Sequence, residues 1–260
     1  MPEGLEAELY RRAAADVTGR VIDRVDVDPR QPAAHELALT LPGRRVAAVR
    51  RHGKLVLLDL ADGPPDTLGL HFGMTGRLVV DEVAPIEALE YSSARDDPAW
   101  DRLVVAFTGG GVLRVNDPRR WARFTIDPDI TRLGVDVFEL TSEHLAAAFA
   151  RRRASVKAVL LDQSVVAGFG NLCVDEVLWH AGVSPVVSVS DLGPAGVERI
   201  VESTNVHLPA MLRRGGSHRG TIDPGVRAEL PPCPADGAPL RRERVGGRTT
   251  VWCPLHQNVA

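Results

Sequence analysis

In the first half of this chain, apolar residues come in short runs cut apart by glycine and proline. Near residue 141 that rhythm gives way to helical spacing. The runs fall at 21–27, 36–41, 45–50, 55–60, 67–71, 76–80, 102–108 and 111–115. Each is too short for a stable helix and is bounded by turn-forming residues, so the expectation is a set of strands in an antiparallel sandwich or barrel. A helix over residues 3–16 precedes them, with Leu5, Leu9, Tyr10 and Ala13 on one face and Gly19 closing it. Asp127-Pro128-Asp129 ends this half. Thr141 then reads as the N-cap of an alanine-rich helix, and further helices are expected over 155–163, 171–181 and 193–212. A short turn-rich tail starts near residue 231. The fold class is therefore α+β in three parts: an N-terminal helix plus antiparallel β-sandwich over 1–128, a helical domain over 129–230, and a C-terminal hairpin finger over 231–260.

Composition narrows the function classes. Hydrophobic residues make up 44% and charged residues 25% of the chain, ordinary values for a soluble globular protein. Runs such as Leu55–Leu58 are far too short to span a bilayer, so no membrane role is expected. The N-terminus lacks a secretory pattern, and three cysteines suit no disulfide framework, which points to a reducing cytoplasm. The net charge of −3 is unusual for a nucleic-acid partner, but the arginines are bunched. They stand at 44, 45, 50 and 51, at 119, 120 and 123, at 151–153, at 213 and 214, and at 241, 242, 244 and 248. A basic face on a mildly acidic body is compatible with DNA.

Only Lys54 and Lys157 among the 31 basic residues are lysines. An amine can release its proton or form an imine, whereas a guanidinium stays charged. The other amine of interest is at the N-terminus. Met1 precedes a small residue, so its removal is expected to leave Pro2 as a free secondary amine. An α-amino group titrates near about 8, against about 10.4 for lysine, so much more of it is nucleophilic at neutral pH. Attack on a sugar C1′ would give an iminium, a good electron sink, with Glu3 beside it as proton donor.

Five further segments carry chemistry. His52-Gly53-Lys54 presents Lys54 at a turn entering a strand. His71-Phe72-Gly73-Met74-Thr75-Gly76-Arg77 sets a flexible thioether on a glycine loop, suited to wedge into a duplex from which a nucleotide has been flipped. Asp117-Pro118-Arg119-Arg120-Trp121 pairs an arginine with an aromatic on a turn, suited to contact an orphaned base and stack beside it. Gly168-Phe169-Gly170-Asn171 is not a dinucleotide fingerprint, since no strand precedes it. It reads as a turn offering amides and Asn171 to an anion such as a DNA phosphate at a helix N-terminus. In the tail, Cys233-Pro-Ala-Asp236, sixteen residues, then Cys253-Pro-Leu-His256 has the spacing of a zinc ribbon, with Arg248 at the expected hairpin tip.

Taken in order, these segments resemble the formamidopyrimidine-DNA glycosylase/endonuclease VIII family along essentially the whole chain. The resemblance also draws on Glu6, Asn116 and Leu161-Asp162-Gln163. It implies a helix–two-turn–helix domain between the sandwich and the finger. It further implies a monomeric, nucleoid-associated DNA glycosylase and AP lyase acting on damaged DNA. The strand would be cut by β,δ-elimination through an N-terminal proline Schiff base. By the same resemblance Pro2 is the nucleophile, Glu3 the general acid, and Lys54 the group that contacts the lesion phosphate and assists elimination. Met74, Arg119 and Trp121 fill the void, and His71, Lys157, Asn171 and Arg248 grip phosphates, with Arg248 serving the catalytic step as well. Cys233, Asp236, Cys253 and His256 bind zinc, or else the finger folds without metal.

Two departures point within the family. Leu5 stands where many purine-specific members have a second proline, and the 215–233 stretch is short for a loop that caps an oxidised purine. Both favour the endonuclease VIII branch, with oxidised pyrimidines and ring-opened bases over 8-oxoguanine. The competing expectation keeps the fold and drops the chemistry, giving a catalytically silent damage-sensing protein. A zinc-ribbon transcription or translation factor is the more distant alternative.

Overall fold

A computed structural model describes residues 2–87, 89 and 94–259, and the chain divides into two compact units. The first holds Pro2 and residues 6–130; the second holds residues 3–5 and 131 onward. No described helix is long and apolar enough to cross a membrane.

Helix α1 (Gly4–Ala14) buries Leu5, Ala7, Tyr10 and Ala14 and runs into a 3₁₀ turn over Ala15–Val17. It ends close to where the sequence places it. The strands β1 (Ile22–Val27), β2 (Arg45–His52), β3 (Leu55–Ala61), β4 (Thr67–His71), β5 (Arg77–Val80), β6 (Asp101–Phe107), β7 (Val112–Asn116) and β8 (Arg123–Ile126) form two four-stranded antiparallel sheets. Their orders are β1-β6-β7-β5 and β2-β3-β4-β8. Val25, Leu103, Val105, Leu113 and Val115 of one sheet share a core with Val46, Val56, Leu58, Leu68 and Leu70 of the other. That is the expected sandwich.

Two local expectations fail for identifiable reasons. Residues 36–41 are not a strand: Ala34–Thr40 is a helix, α2. In a strand Leu37, Leu39 and Leu41 would share a face. Here Leu37 and Leu41, four apart, are fully buried, while Leu39 is 68% exposed. Strand β8 answers to none of the apolar runs. It pairs along β4 in register Leu70↔Phe124, and it shows no apolar run because only the alternate residues Phe124 and Ile126 pack on the core while Arg123 and Thr125 are exposed.

In the second unit a parallel pair, β9 (Val135–Asp136) and β10 (Val166–Ala167), precedes and follows two helices, α3 (Ser142–Phe149) and α4 (Val156–Leu161). Thr141 caps α3 as expected, accepting from the His144 amide, and Ser155 caps α4. Helix α5 (Asn171–Ala181) ends at Gly182, whose φ of +67° is the left-handed cap conformation. Helix α6 (Pro194–Arg213) follows, and α7 (Pro224–Glu229) occupies a stretch in which the sequence signals no element. Between α4 and α5 the chain makes two turns tied by Gln163. Its amide donates to Leu161 O and Phe169 O, and its oxygen accepts from Gly168 N. The tail is the expected hairpin, β11 (Arg241–Val245) with β12 (Arg248–Trp252), joined by Gly246-Gly247.

Candidate active site

In the first unit three loops carry the candidate residues. His52 pairs with Leu55, so Gly53-Lys54 is a two-residue hairpin loop, with φ of +58° at Gly53. A side chain is disfavoured at that first position, and the second is left to display Lys54. Next to it on β4, His71 is largely buried. Its Nδ1 accepts from the Gly73 amide at 3.2 Å, which puts the proton of the neutral ring on Nε2. Burial first, then the charges of Lys54 and Arg123, hold its pKa below the ordinary histidine value. His71 is therefore a neutral N–H donor, suited to a phosphate oxygen. A depressed folded pKa means that the stability it contributes is present above the unfolded value of about 6.5 and is lost as pH falls through the folded one. An NMR titration of the His71 ring is expected to show a midpoint clearly below 6.5; a midpoint at or above it would contradict this environment.

Met74 and the pair Arg119 and Trp121 come together on adjoining loops. Gly73 packs so closely on Trp121 that a Cβ there would lie 2.6 Å from the Trp121 carbonyl. Trp121 is 49% exposed, Arg119 is exposed with its guanidinium carbon 5.9 Å from the indole centroid, and Met74 is half-buried. The three void-filling candidates are thus neighbours on one rim.

Glu3 is organised by the second unit. Its carboxylate is buried and accepts three backbone N–H bonds at the N-terminus of α5: Gly170 at 3.1 Å, Leu172 at 2.9 Å and Cys173 at 3.0 Å. Gly4 N donates to Gly168 O at 2.8 Å, fixing the adjoining backbone. A Cβ on Gly170 would run into the Glu3 carboxyl carbon, so only glycine leaves room. This corrects the reading of Gly168–Asn171 as an open phosphate seat. The anion at this helix N-terminus is the chain's own Glu3, which satisfies donors that would otherwise have been free for a ligand.

Lys157 is a second correction. Instead of reaching toward DNA, it is fully buried on α4, with Nζ 2.5 Å from Asp175 Oδ1 and 2.8 Å from Thr250 Oγ1. Burial draws its ammonium below the usual lysine range against the opposing pull of Asp175. Asp175 also receives Arg227, and Arg227 Nη2 and Asn171 Nδ2 both donate to Thr249 O, at 2.8 and 3.0 Å. The sequence alone does not single out Asp175 and Arg227, because nothing in it marks an ion pair across 52 residues. Together they clamp β12 onto α5. Gly246 meanwhile sits where a Cβ would touch Ala158 at about 3 Å. Arg248 closes the hairpin opposite Val245 and is exposed, and its guanidinium makes no hydrogen bond or ion pair among the described residues. The finger holds it out in solvent.

The finger's expected metal ligands come together only in part. Ligand atoms of Cys233, Asp236 and Cys253 lie within 4.8 Å of one another. His256, expected as the fourth, does not join them: its ring Nε2 lies 2.9 Å from Trp179 O, and its backbone amide, not its ring, faces the Cys253 sulfur. Two thiols and a carboxylate suit zinc, with a fourth place open. Trp179, Leu240 and Val251 pack around this corner, so a metal here would tie the hairpin together and take no part in a reaction.

Comparison with known proteins agrees with this geometry. The formamidopyrimidine-DNA glycosylase N-terminal domain matches residues 1–124, and the formamidopyrimidine-DNA glycosylase H2TH domain matches residues 133–222. The formamidopyrimidine-DNA glycosylase of Paracoccus denitrificans is 34% identical over 288 residues, spanning 99% of this chain and all of that protein. That of Geobacter metallireducens is 33% identical over 283 residues with the same coverage. The crystal structure of the MutM (Fpg) protein from Thermus thermophilus superposes over the full length of both chains with a TM-score of 0.78 at 28% identity. With both domain models matched in order and relatives aligned end to end, this chain belongs to the formamidopyrimidine-DNA glycosylase family.

Proposed function

We propose that this protein is a base-excision DNA glycosylase and AP lyase whose nucleophile is the amine of Pro2. The observation that carries the reading is the seat of Glu3. A carboxylate peptide-bonded to the nucleophile is immobilised by three amides of α5. Catalytic groups need this kind of preorganisation. In the proposed reaction the Pro2 nitrogen attacks C1′ of the damaged nucleotide. The C1′–N bond to the base breaks, and the base leaves with the electron pair and a proton. Glu3 takes the proton that the Pro2 nitrogen releases and passes it to the departing base or, as the C1′–O4′ bond opens to give the iminium, to the ring oxygen. Loss of a C2′ proton from the resulting iminium then expels the 3′ phosphate, and a second elimination expels the 5′ phosphate. Lys54, on its two-residue loop beside His71, neutralises the lesion phosphate. Exposed Arg248 takes another, and Asn171 lies beside that strand through Thr249 O.

Damaged DNA is the partner, bound by a single copy of the chain in the nucleoid of the cytoplasm. The substrates are oxidised pyrimidines and ring-opened bases. In support, the connection after α6 is short and tied down, with Glu176 accepting from the amides of Thr221 at 2.6 Å and Ile222 at 2.8 Å. That leaves little chain to close over a large oxidised purine. Incision of an abasic-site duplex, with borohydride capture of the covalent intermediate, tests the reading. A protein that binds the duplex yet neither incises nor traps it would be a damage sensor instead.

A further inference from the structure

We propose that Asp117 is the positioning residue that holds the Met74 loop and the Arg119–Trp121 loop as one wedge. The proposal rests on the function given above. Asp117 is fully buried at the end of β7. Its carboxylate accepts from four donors: the Thr75 hydroxyl on the Met74 loop, the Arg119 amide at 3.1 Å, the Trp121 amide at 2.6 Å and the Ala122 amide at 2.8 Å. A carboxylate has about four acceptor sites, so none remains for substrate or water. The backbone of Asp117 is held too: its N–H donates to Trp100 O, and its carbonyl accepts from Arg102 Nε, both at 2.8 Å.

What these bonds hold is a turn that would not keep its shape unaided. Pro118 sets the second position, and Arg120, a non-glycine residue, sits at φ of +60°. Three of the four bonds run to this turn, and the fourth crosses to the other loop. Two wedge loops from different parts of the sequence thereby share one buried anchor, and side chains meant to enter a duplex need fixed roots. Neither oxygen of Asp117 reaches the rim, so it acts through the residues it orients.

The test places 2-aminopurine opposite a tetrahydrofuran abasic analogue in a duplex and follows its fluorescence on saturation with protein. Anisotropy of an end label measures binding separately. The native protein is expected to displace the orphaned base and change the signal. Asp117→Asn, which turns one acceptor oxygen into a donor facing N–H groups, is expected to lose most of that change at saturation. It should also excise roughly tenfold or more slowly. Thr75→Val cuts only the link between loops, so it folds even if Asp117→Asn does not, and it is expected to lose part of the signal. Thr75→Ser keeps the hydroxyl and is expected to restore it. Full signal in both Asp117→Asn and Thr75→Val, at native binding, overturns the proposal. A native protein that binds and incises but gives no signal overturns the void-filling roles of Met74, Arg119 and Trp121, and Asp117 with them. A native protein that binds without incising overturns the enzymatic reading alone.

Discussion

Protein carrying a blocked Pro2 amine is expected to form no borohydride-trapped adduct with abasic DNA, while still binding it. Blocking by a retained N-terminal extension removes only the proposed nucleophile: the three amides on Glu3 come from the start of α5, and the residues proposed to meet phosphates lie elsewhere in the chain. The effect is large because an amine that forms the iminium has no substitute in water. General acid–base groups alone contribute about 10² to 10⁴, and without the covalent intermediate the elimination has no electron sink. Gel-shift and trapping assays on the same preparations check it. Trapping undiminished by the block would move the nucleophile to another amine, with Lys54 the first to examine.

The two lysines are expected to fail in different ways when replaced. Lys54→Arg keeps the charge of a half-buried side chain on a two-residue hairpin loop, so its melting should stay close to the parent's while single-turnover elimination drops by about a hundredfold. Lys157→Met should do the reverse. It leaves Asp175 inside the protein with Arg227 as its one remaining cation, and it strips a donor from Thr250. With Arg227 still pairing Asp175, the cost is that of a lost hydrogen bond to a buried charge, about 1.5–3 kcal/mol. Urea denaturation should show that loss. The salt slope for DNA binding should stay where it was, because Lys157 itself meets no phosphate. Native stability in Lys157→Met, or a slope lower by about one unit, would return Lys157 to the DNA interface.

Much of this molecule is legible from residue order. The strands of the sandwich follow from apolar runs bounded by glycine and proline, and the finger hairpin from the matched Cys-x-x spacings around Gly246-Gly247. The start of α3 follows from its cap Thr141. These are local signals, set by backbone sterics, capping and burial of one face, and the chain carries them whatever its partners. The residues with chemical potential were also legible, because an amine next to a carboxylate or a thioether on a glycine loop is visible by type.

Partnership was not legible. Leu37, Leu39 and Leu41 fit either a strand or a helix until the surface they pack on shows that only two of them are buried. Phe124 and Ile126 alone could not announce an edge strand whose other side chains face solvent. The amides of Gly170, Leu172 and Cys173 look like a phosphate site until Glu3, more than 160 residues away, is seen occupying it. Lys157 reads as a surface cation until Asp175 and Thr250 enclose it. In each case the sequence determined what a group can do, and the tertiary structure decided what it meets. Burial makes that meeting decisive: a charge removed from water must find its partner inside the protein, and the partner's place in the chain leaves no local trace.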